Sequence, residues 1–556
     1  MRGNVRHPSV LSLSSLTVAV ALALTACGGA SSPDDIPVDA PAPTVPPATG
    51  TGTPGTPTVP GAPTTPAPPT TPNVPGVPTV PGTPGAPSAP IPPSAPATPA
   101  GLSGATHACA VMPAMPTKPA NALLVTNFGA RGDDGNDDSA AIEAAIRAAQ
   151  PGQWIVFPSG RYIHNKSIKV NKAGVVLWSE GATLHGSNIS DQAVMLEADG
   201  ASVYNFTMTA VSDKRLTAPW QSRVAVIGGT NPRRLLRNNI VRNNKIVHAG
   251  ERGTPLANST SAAGIFIYNA TNFLIAENTV SRSLADAIHI TAGSYNGRVL
   301  KNTVREPGDD MIAVVSYIGS PSMAASQVNA EFAARRARDL VRNVLVSGNS
   351  VSGNYWGRGI TVVGGESVTI ENNRIERTTH AAGIYLARET SYLTFGVKDI
   401  LVRNNVISQV QTTAPAYMPV GFNFRTTGHA GVEIYSHMFT DEKNYPTLVD
   451  GLAVENIRLE NNTVDQVRTD GVRIGNGTGR TWGASGRTAT GGRVGKIALA
   501  NTRLSAIQAA PVSVLSQPSG TNNVLITGTT LNGGAYSNPA SGGAAPAVSG
   551  AEVTCP

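Results

Sequence analysis

The chain has 556 residues, of which 58 are glycine, 43 are proline, 5% are aromatic and 14% are charged. This composition excludes a coiled coil or long helical bundle and argues against a nucleic-acid-binding protein, so an elongated or partly disordered chain is indicated. The formal net charge of +7 is a mild positive field that favours an acidic partner, either a uronic-acid polysaccharide or a phosphate polymer.

The first 26 residues have the pattern of a secretory signal. Arg2 and Arg6 precede an apolar run from Val10 to Leu24 that is too short for a permanent membrane span. The run ends in Leu-Thr-Ala-Cys-Gly, which resembles the lipobox of bacterial lipoproteins, where the signal is cut before the cysteine. The resemblance implies acylation of Cys27 and an exported protein anchored to the outer membrane, in the periplasm or at the cell surface. The alternative is an ordinary signal peptide with an unrelated cysteine.

A proline-rich segment follows the signal. Residues 31–100 contain 24 prolines and no aromatic residue, so the segment has little apolar surface to bury and cannot sustain a helix. We predict a disordered tether over residues 27–118, a folded domain over 119–535 and a Gly/Ala/Ser-rich tail over 536–556. Cys109 and Cys555 lie on either side of the patterned region; in an oxidising compartment we expect a disulfide, with two unpaired thiols as the alternative.

The folded domain begins with an Asp-rich segment, Asn127 to Asp138, which leads into an Ala-rich helix over residues 139–149. An apolar strand from Trp154 to Tyr162 comes next. These segments resemble the amino-terminal cap of pectate-lyase-superfamily and polygalacturonase-like β-helices, in which a short helix closes the open end of the solenoid. The aspartates lack the ligand spacing of an EF-hand loop, so we expect turn and helix-cap roles rather than a calcium site.

A repeated tripeptide, Asn-x-(Val/Ile), sets the architecture. It begins at Asn244, Asn278, Asn302, Asn349, Asn373, Asn405 and Asn462, and two of the spacings are 24 residues. Short strands with alternating apolar and polar residues lie between the repeats, a pattern that is typical of β-structure and not of a helical solenoid. The repeat predicts an all-β fold, a single-stranded parallel β-helix with a short amino-terminal capping α-helix. The resemblance implies right-handed coils, and we expect the asparagines to stack as a buried ladder.

Two aspartates share one position of the repeat. Asp286 lies eight residues after Asn278 and Asp310 lies eight after Asn302, so both fall in one column on adjacent coils, about 5 Å apart. Asp309 directly precedes Asp310. Like charges this close raise at least one pKa, which is usually tolerated for acid/base chemistry or for a cation. Ordinary turn residues are the alternative interpretation.

The order of four motifs resembles polygalacturonase-type glycoside hydrolases. That family carries Asn-Thr-Asp, Gly-x-Asp-Asp, Gly-His-Gly and Arg-Ile-Lys in this order. Here the corresponding segments are Leu-Ala-Asp286, Gly-Asp309-Asp310, Gly-Arg358-Gly and the Gly383 to Arg388 segment, in which Tyr385 and Ala387 stand where the family has Arg and Lys. The resemblance implies that Asp310 is the general acid and that Asp286 and Asp309 activate water in an inverting hydrolysis. The missing Arg and Lys leave a sugar other than galacturonate open.

Two other functions use the same residues. In a polysaccharide lyase, the three aspartates could hold Ca²⁺ against a uronate while Arg358 removes a proton in β-elimination. In a non-catalytic glycan-binding or surface-architecture β-helix, the cleft would hold glycan without cleaving it. We favour the glycosidase, acting on a polysaccharide as a monomer with no cofactor and no resident metal; Ca²⁺ is expected only for a lyase.

Further residues are candidates for substrate binding beside Arg358. His289 lies in the strand after Asp286 and should face outward by alternation, whereas His380 precedes the strand of a later coil. Trp356 and Tyr385 could stack on sugar rings, although packing in the core or rim is the ordinary role of such side chains. Asp470, eight residues after Asn462, repeats the Asp-before-strand pattern without a neighbouring pair.

Overall fold

The chain winds into a stack of parallel coils made of short strands. A computed structural model describes residues 107–247, 260–420, 422–476, 480–481, 487–515, 524–536, 548 and 553–555, all within one compact unit. The strands, numbered β1 to β39 in chain order, are Leu123–Leu124, Trp154–His164, Ile168–Val170, Val176–Gly186, Val194–Leu196, Ser202–Tyr204, Thr207–Ala210, Val224–Ile227, Leu236–Arg237, Ile240–Arg242, Lys245–Ile246, Ile265–Tyr268, Ala270–Thr271, Leu274–Ala276, Thr279–Ser281, Ile288–Thr291, Tyr295–Leu300, Thr303–Arg305, Ile312–Val315, Arg342–Ser347, Ser350–Ser352, Ile360–Val363, Gly365–Glu371, Arg374–Glu376, Ile384–Arg388, Val397–Arg403, Val406–Val410, Val432–Phe439, Val454–Glu460, Thr463–Val467, Val472–Asn476, Arg480–Thr481, Thr488–Gly491, Val494–Ala500, Arg503–Ile507, Val512–Val514, Val524–Thr527, Thr530–Leu531 and Gly534–Ala535. The α-helices are α1 (Ser139–Ala148), α2 (Ala325–Asp339) and α3 (Pro446–Gly451), and the 3₁₀ helices are Ala108–Ala110, Val125–Phe128, Pro219–Gln221 and Thr440–Asn444.

Successive coils pair in parallel. Across the described residues the strands form one 26-stranded sheet and one 13-stranded sheet, and the smaller sheet runs from β3 through β16, β19, β22, β25 and β28 to β36. Ile288 of β16 lies beside Ile312 of β19, which in turn lies beside Ile360 of β22. The predicted fold, an all-β right-handed parallel β-helix with a short capping helix, is confirmed.

Alternation along the smaller sheet separates the core from the outer wall. In β16, Ile288 and Ile290 belong to the continuous apolar core, as do Ile312 and Val314 of β19. Because successive side chains point to opposite faces of a strand, His289 between the two isoleucines faces outward. Each fully buried Ile or Val contributes roughly 1.5–3 kcal/mol, so the core holds the outer wall in a fixed register.

The repeated asparagines form the ladder that the sequence predicted. The Nδ2 of Asn278 donates to Oδ1 of Asn302 at 3.0 Å, and Asn302 donates in the same way to Asn349 at 3.0 Å. The ladder continues without a break through Asn373 and Asn405 to Asn462. Each Oδ1 also accepts the backbone N–H of the preceding ladder residue, as in Asn278 to Asn302 at 3.0 Å. The ladder is therefore a buried, fully bonded column that fixes the register of the coils.

The amino-terminal segment closes the first coil. Helix α1 packs its apolar face, including Ile142 and Ile146, on the core. Asp137 accepts the N–H of Ser139 at 3.2 Å, whereas Asp138 accepts the N–H groups of Arg131 at 2.7 Å and Ile163 at 3.2 Å. Both carboxylates thus have the structural roles that the sequence predicted, but the N-cap residue, Asp138, makes no side-chain cap hydrogen bond, and it is Asp137 that bonds to the start of the helix.

A disulfide joins Cys109 to Cys555 across 446 residues of sequence. Cys109 packs against Leu274, Leu300 and Leu345 on the outside of the β-helix. Residues 107–118 are thus held on the folded domain, which corrects the carboxyl-terminal end of the predicted tether. The signal over residues 1–26, Cys27 and residues 27–106 of the tether lie outside the described residues. Among the helices described, none has the length and apolar character needed to cross a bilayer.

Candidate active site

The repeat brings Asp286, Asp309 and Asp310 to one wall of the β-helix. One carboxylate oxygen of each lies within 4.8 Å of the others. The three side chains line a cleft with a free volume of about 410 Å³, part of it open to solvent. The other lining residues are His289, Val315, Tyr317, Arg358, Val363, Glu389, Tyr392 and Thr394.

Asp286 has both carboxylate oxygens occupied. Oδ1 accepts the backbone N–H of Asp310 on the next coil at 3.0 Å. Oδ2 lies 2.6 Å from Nδ1 of His289, whose ring stacks on Phe266 with centroids 5.0 Å apart. His289 therefore faces outward as predicted, but it is buried at the floor of the cleft and is held by the aspartate.

Asp309 is ionised. Its Oδ2 accepts from a guanidinium nitrogen of Arg215, and the two side chains are about one fifth exposed, 19% and 23%. Burial raises the pKa of Asp309, but the charge and hydrogen bond of Arg215 lower this pKa by more than burial raises it. The pKa of Asp309 therefore lies below its ordinary value. This aspartate is a carboxylate at the cleft with access to water.

Asp310 differs from its neighbours. Its Oδ1 accepts the backbone N–H of Arg358 at 2.6 Å, whereas no side chain or backbone group of the described residues is hydrogen-bonded to Oδ2. Burial raises the pKa of Asp310 well above its ordinary value; Arg358 opposes the rise, and the charges of Asp309 and Asp286 add to it. The side chain therefore favours the neutral acid, with Oδ2 as the position for the proton.

Arg358 is bracketed by two acidic side chains. Its Nη2 lies 2.6 Å from Oε1 of Glu389, its Nη1 lies 4.0 Å from Oδ1 of Asp310, and its guanidinium lies over the ring of Tyr385 at 4.5 Å. Burial lowers the pKa of Arg358, but Glu389 and Asp310 more than reverse this effect, so the group stays protonated. The structure thus corrects the hypothesis that Arg358 acts as a base.

Trp356 and Tyr385, which the sequence suggested for stacking on sugar rings, offer no such surface beside the aspartates. Tyr385 is fully buried, so it has no ring face to offer a sugar; its proposed stacking role is corrected to support of Arg358. Trp356 is partly exposed but stacks on His380 with centroids 4.8 Å apart and packs against Phe422 at 5.3 Å. His380 is buried, and its Nδ1 lies 2.6 Å from the carbonyl of Arg425. Neither Trp356 nor His380 lines the cleft.

Sequence reasoning missed Arg215, Glu389 and Tyr392. Glu389 directly follows β25, so the end of a predicted strand was a signal that could have drawn attention to it. Arg215 lies 94 residues from Asp309 in an irregular segment without a repeat, and nothing in the sequence pointed to it. Tyr392 lines the cleft, and burial raises its pKa well above the ordinary value, so the phenol stays neutral.

Fold and site together define a parallel β-helix protein with a carboxylate-lined cleft on its outer wall. Residues 123–395, just under half of the chain, match the family model described as rhamnogalacturonase A/epimerase, pectate lyase-like. This match confirms the resemblance to the pectate lyase superfamily that the sequence predicted. The match also supports a carbohydrate-active enzyme family.

Several solved structures are similar to the chain. The A-module of mannuronan C-5 epimerase AlgE6 from Azotobacter vinelandii is 15% identical, with a TM-score of 0.43 over 74% of this chain and 99% of that one. PfbA, a surface adhesin of Streptococcus pneumoniae, is 12% identical, with a TM-score of 0.45 over 74% and 90%. The catalytic unit of a GH87 α-1,3-glucanase from Streptomyces thermodiastaticus is 15% identical, with a TM-score of 0.41 over 74% and 69%. No curated protein matches the sequence.

Proposed function

We propose that the protein is an extracytoplasmic glycoside hydrolase with Asp310 as its general acid. The observation that carries this proposal is a buried carboxyl group with a raised pKa and one oxygen without a hydrogen bond from the described residues, beside an ionised carboxylate. Pairs of carboxyl groups whose surroundings push their pKa values apart are typical of acid/base assignments in enzymes. The cleft contains such a pair in Asp310 and Asp309.

In the proposed reaction, Asp310 gives its proton to the leaving glycosidic oxygen as the bond from that oxygen to the anomeric carbon breaks. A water molecule attacks the anomeric carbon, and its proton passes to the carboxylate of Asp309. Asp286 acts through its neighbours, because its oxygens hold the Asp310 backbone and His289. The oxygens lie within 4.8 Å, which is below the roughly 6.5–9.5 Å that is typical of inverting enzymes. Direct attack by water inverts the anomeric centre, whereas the short spacing does not favour inversion. The anomer of the product, measured by NMR, therefore tests this step, and a retained anomer would contradict direct attack by water.

The lyase hypothesis fits the residues less well. Calcium prefers several ionised oxygen ligands, yet Asp310 favours its neutral form, Asp309 is paired with Arg215 and both oxygens of Asp286 are engaged. The suggested base, Arg358, is held in its protonated form by Glu389. We therefore propose hydrolysis rather than β-elimination.

We further propose that the enzyme is an exported lipoprotein acylated at Cys27. The support is the sequence alone: a short apolar run that ends in Leu-Thr-Ala-Cys-Gly, followed by the proline-rich tether. Metabolic labelling with radioactive palmitate tests this proposal. Label should appear in the wild-type chain and be absent from Cys27→Ser, and equal labelling of the two would contradict it.

A panel of polysaccharides, incubated with the full chain, tests the catalytic proposal. Hydrolysis predicts new reducing ends without ultraviolet absorbance, whereas elimination predicts absorbance of an unsaturated uronate that depends on calcium. Binding without either product would indicate a glycan-binding β-helix. Asp310→Asn is the control. Turnover that survives this substitution would contradict the assignment of Asp310 as the general acid.

A further inference from the structure

The cationic groups at the cleft are matched by acidic partners. Arg358 is the one arginine among the described lining residues, and it is paired with Glu389 at 2.6 Å. Arg215, which reaches the site from outside the lining, is paired with Asp309. No lysine belongs to the described lining. A carboxylate on a sugar ring would therefore meet a surface on which these positive charges are already compensated.

The acidic groups outnumber these cations. The described lining contains four carboxyl side chains, those of Asp286, Asp309, Asp310 and Glu389, against the single arginine Arg358. An acidic sugar in the cleft would place its charge beside carboxylates, and such a like-charge contact disfavours the acidic ligand. A neutral sugar would meet only hydrogen-bonding groups and the partly apolar rim of Val315 and Val363.

The surrounding residues hold Glu389 in place beside Arg358. Its backbone N–H donates to Oγ1 of Thr394 at 2.9 Å, and its carbonyl accepts the Thr394 N–H at 3.1 Å. The preceding residue, Arg388, is fully buried and pairs with Glu442 at 2.8 Å. The carboxylate of Glu389 is only 2% exposed, so it has little freedom to leave Arg358 when a ligand enters.

We infer that the cleft takes neutral sugar residues and that Glu389 is the specificity-determining residue that excludes uronates by neutralising Arg358. This inference rests on the proposed hydrolase. It differs from the acidic substrate that the overall positive charge of the chain favours, because the local pairing of charges, not the net charge, decides what a desolvated site accepts.

The first experiment compares matched ligands. The full chain with Asp310→Asn, a neutral replacement for the protonated acid, is titrated by calorimetry with uronate oligosaccharides and their carboxyl-reduced neutral counterparts, both in EDTA and with added calcium. For the linkage that binds best, we expect the neutral member to bind at least about tenfold more tightly, a difference of about 1.4 kcal/mol. Tighter binding of the uronate member under either condition would overturn the inference.

The second experiment changes the proposed selector. Glu389→Gln keeps the shape of the side chain and removes its charge, so the affinity for the uronate member should rise by about tenfold relative to that for the neutral member. Glu376→Gln, which breaks an Arg–Glu pair with Arg374 outside the cleft, should leave the ratio unchanged. An equal loss on both ligands would make Glu389 a structural residue and overturn its assignment.

The two proposals fail in different ways. Selective binding of neutral oligosaccharides without any turnover would overturn the hydrolase and leave the selectivity standing. Hydrolysis of a uronate polymer in preference to its reduced counterpart would overturn the selectivity and leave the hydrolase standing. No binding to either member of any pair would overturn both.

Discussion

Asp310 and Asp470 occupy equivalent places in two regions of the β-helix. Each stands two residues before a strand of the smaller sheet, β19 and β31 respectively. Each accepts a backbone N–H from the following coil, Arg358 at 2.6 Å and Ala510 at 3.1 Å. The shared position therefore has a structural reason, because the carboxylate satisfies a donor at the turn between coils.

The two aspartates differ in their second oxygen. Oδ2 of Asp470 accepts from Nε of Arg473 at 2.8 Å, and the same guanidinium also pairs with Glu433 of the preceding coil at 3.3 Å. Around Asp310 the preceding coil supplies Asp286, and Asp309 adds another carboxylate. The pKa of Asp310 is thus raised at a position where neighbouring carboxylates add negative charge and where no cationic group of the described residues is hydrogen-bonded to Oδ2.

The largest effect is expected for Asp310→Asn. The amide oxygen can still accept the Arg358 N–H, so the fold should persist, while loss of the general acid should lower kcat by about 10²- to 10⁴-fold. The matched substitution Asp470→Asn should leave kcat unchanged. Both are measured as release of reducing ends, with circular dichroism as the folding control; a similar loss in both variants would erase the distinction between the two aspartates.

The pH dependence should follow the raised pKa of Asp310. Turnover needs the protonated acid, so kcat/KM should fall about tenfold per pH unit above the pKa of Asp310. The folded state also holds this proton more tightly than the unfolded state does. Its contribution to stability is therefore complete below the unfolded pKa of Asp and is lost as the pH rises through the folded pKa. Thermal unfolding across pH should show this loss in the wild type and not in Asp310→Asn; identical curves would contradict the assignment.

Asp286→Asn tests the contribution of the adjacent coil. Removing one like charge should lower the pKa of Asp310 and move the alkaline limb of the pH–rate profile to lower pH by on the order of one to two pH units. The amide oxygen can keep the hydrogen bond to the Asp310 N–H. A shift to higher pH, or no shift, would show that Asp286 does not contribute to the raised pKa of Asp310.

The smallest effect on activity is expected for Asp470→Ala. It leaves the Ala510 N–H and Nε of Arg473 without their acceptor, although Nη1 of Arg473 keeps the carbonyl of Gly428 and the carboxylate of Glu433. The free energy of unfolding should therefore fall by about 1–3 kcal/mol. Urea denaturation measures this loss, and the pH–rate profile should keep its shape. A displaced profile would mean that Asp470 acts on the cleft.

Several features of the site follow from the sequence because a repeat fold has a fixed number of residues in a coil. The spacing of Asn278 and Asn302 predicts the parallel coils and the ladder, and the same offset predicts that Asp286 and Asp310 are neighbours. The outward direction of His289 follows from alternation in β16. These are consequences of local periodicity, and the structure confirms the ladder and the contact between adjacent coils.

The sequence by itself determined the β-helix and the column that holds the aspartates, since residues at equal offsets must superpose when coils stack. Only the tertiary structure decided which carboxyl group keeps a proton, because that depends on burial and on Arg215, which arrives from an irregular segment 94 residues away from its partner Asp309. It also decided that Tyr385 lies beneath Arg358 and not against a ligand. Loops outside the repeat have no regular spacing in the sequence. The positions of their charged side chains at a site are therefore set by tertiary packing alone.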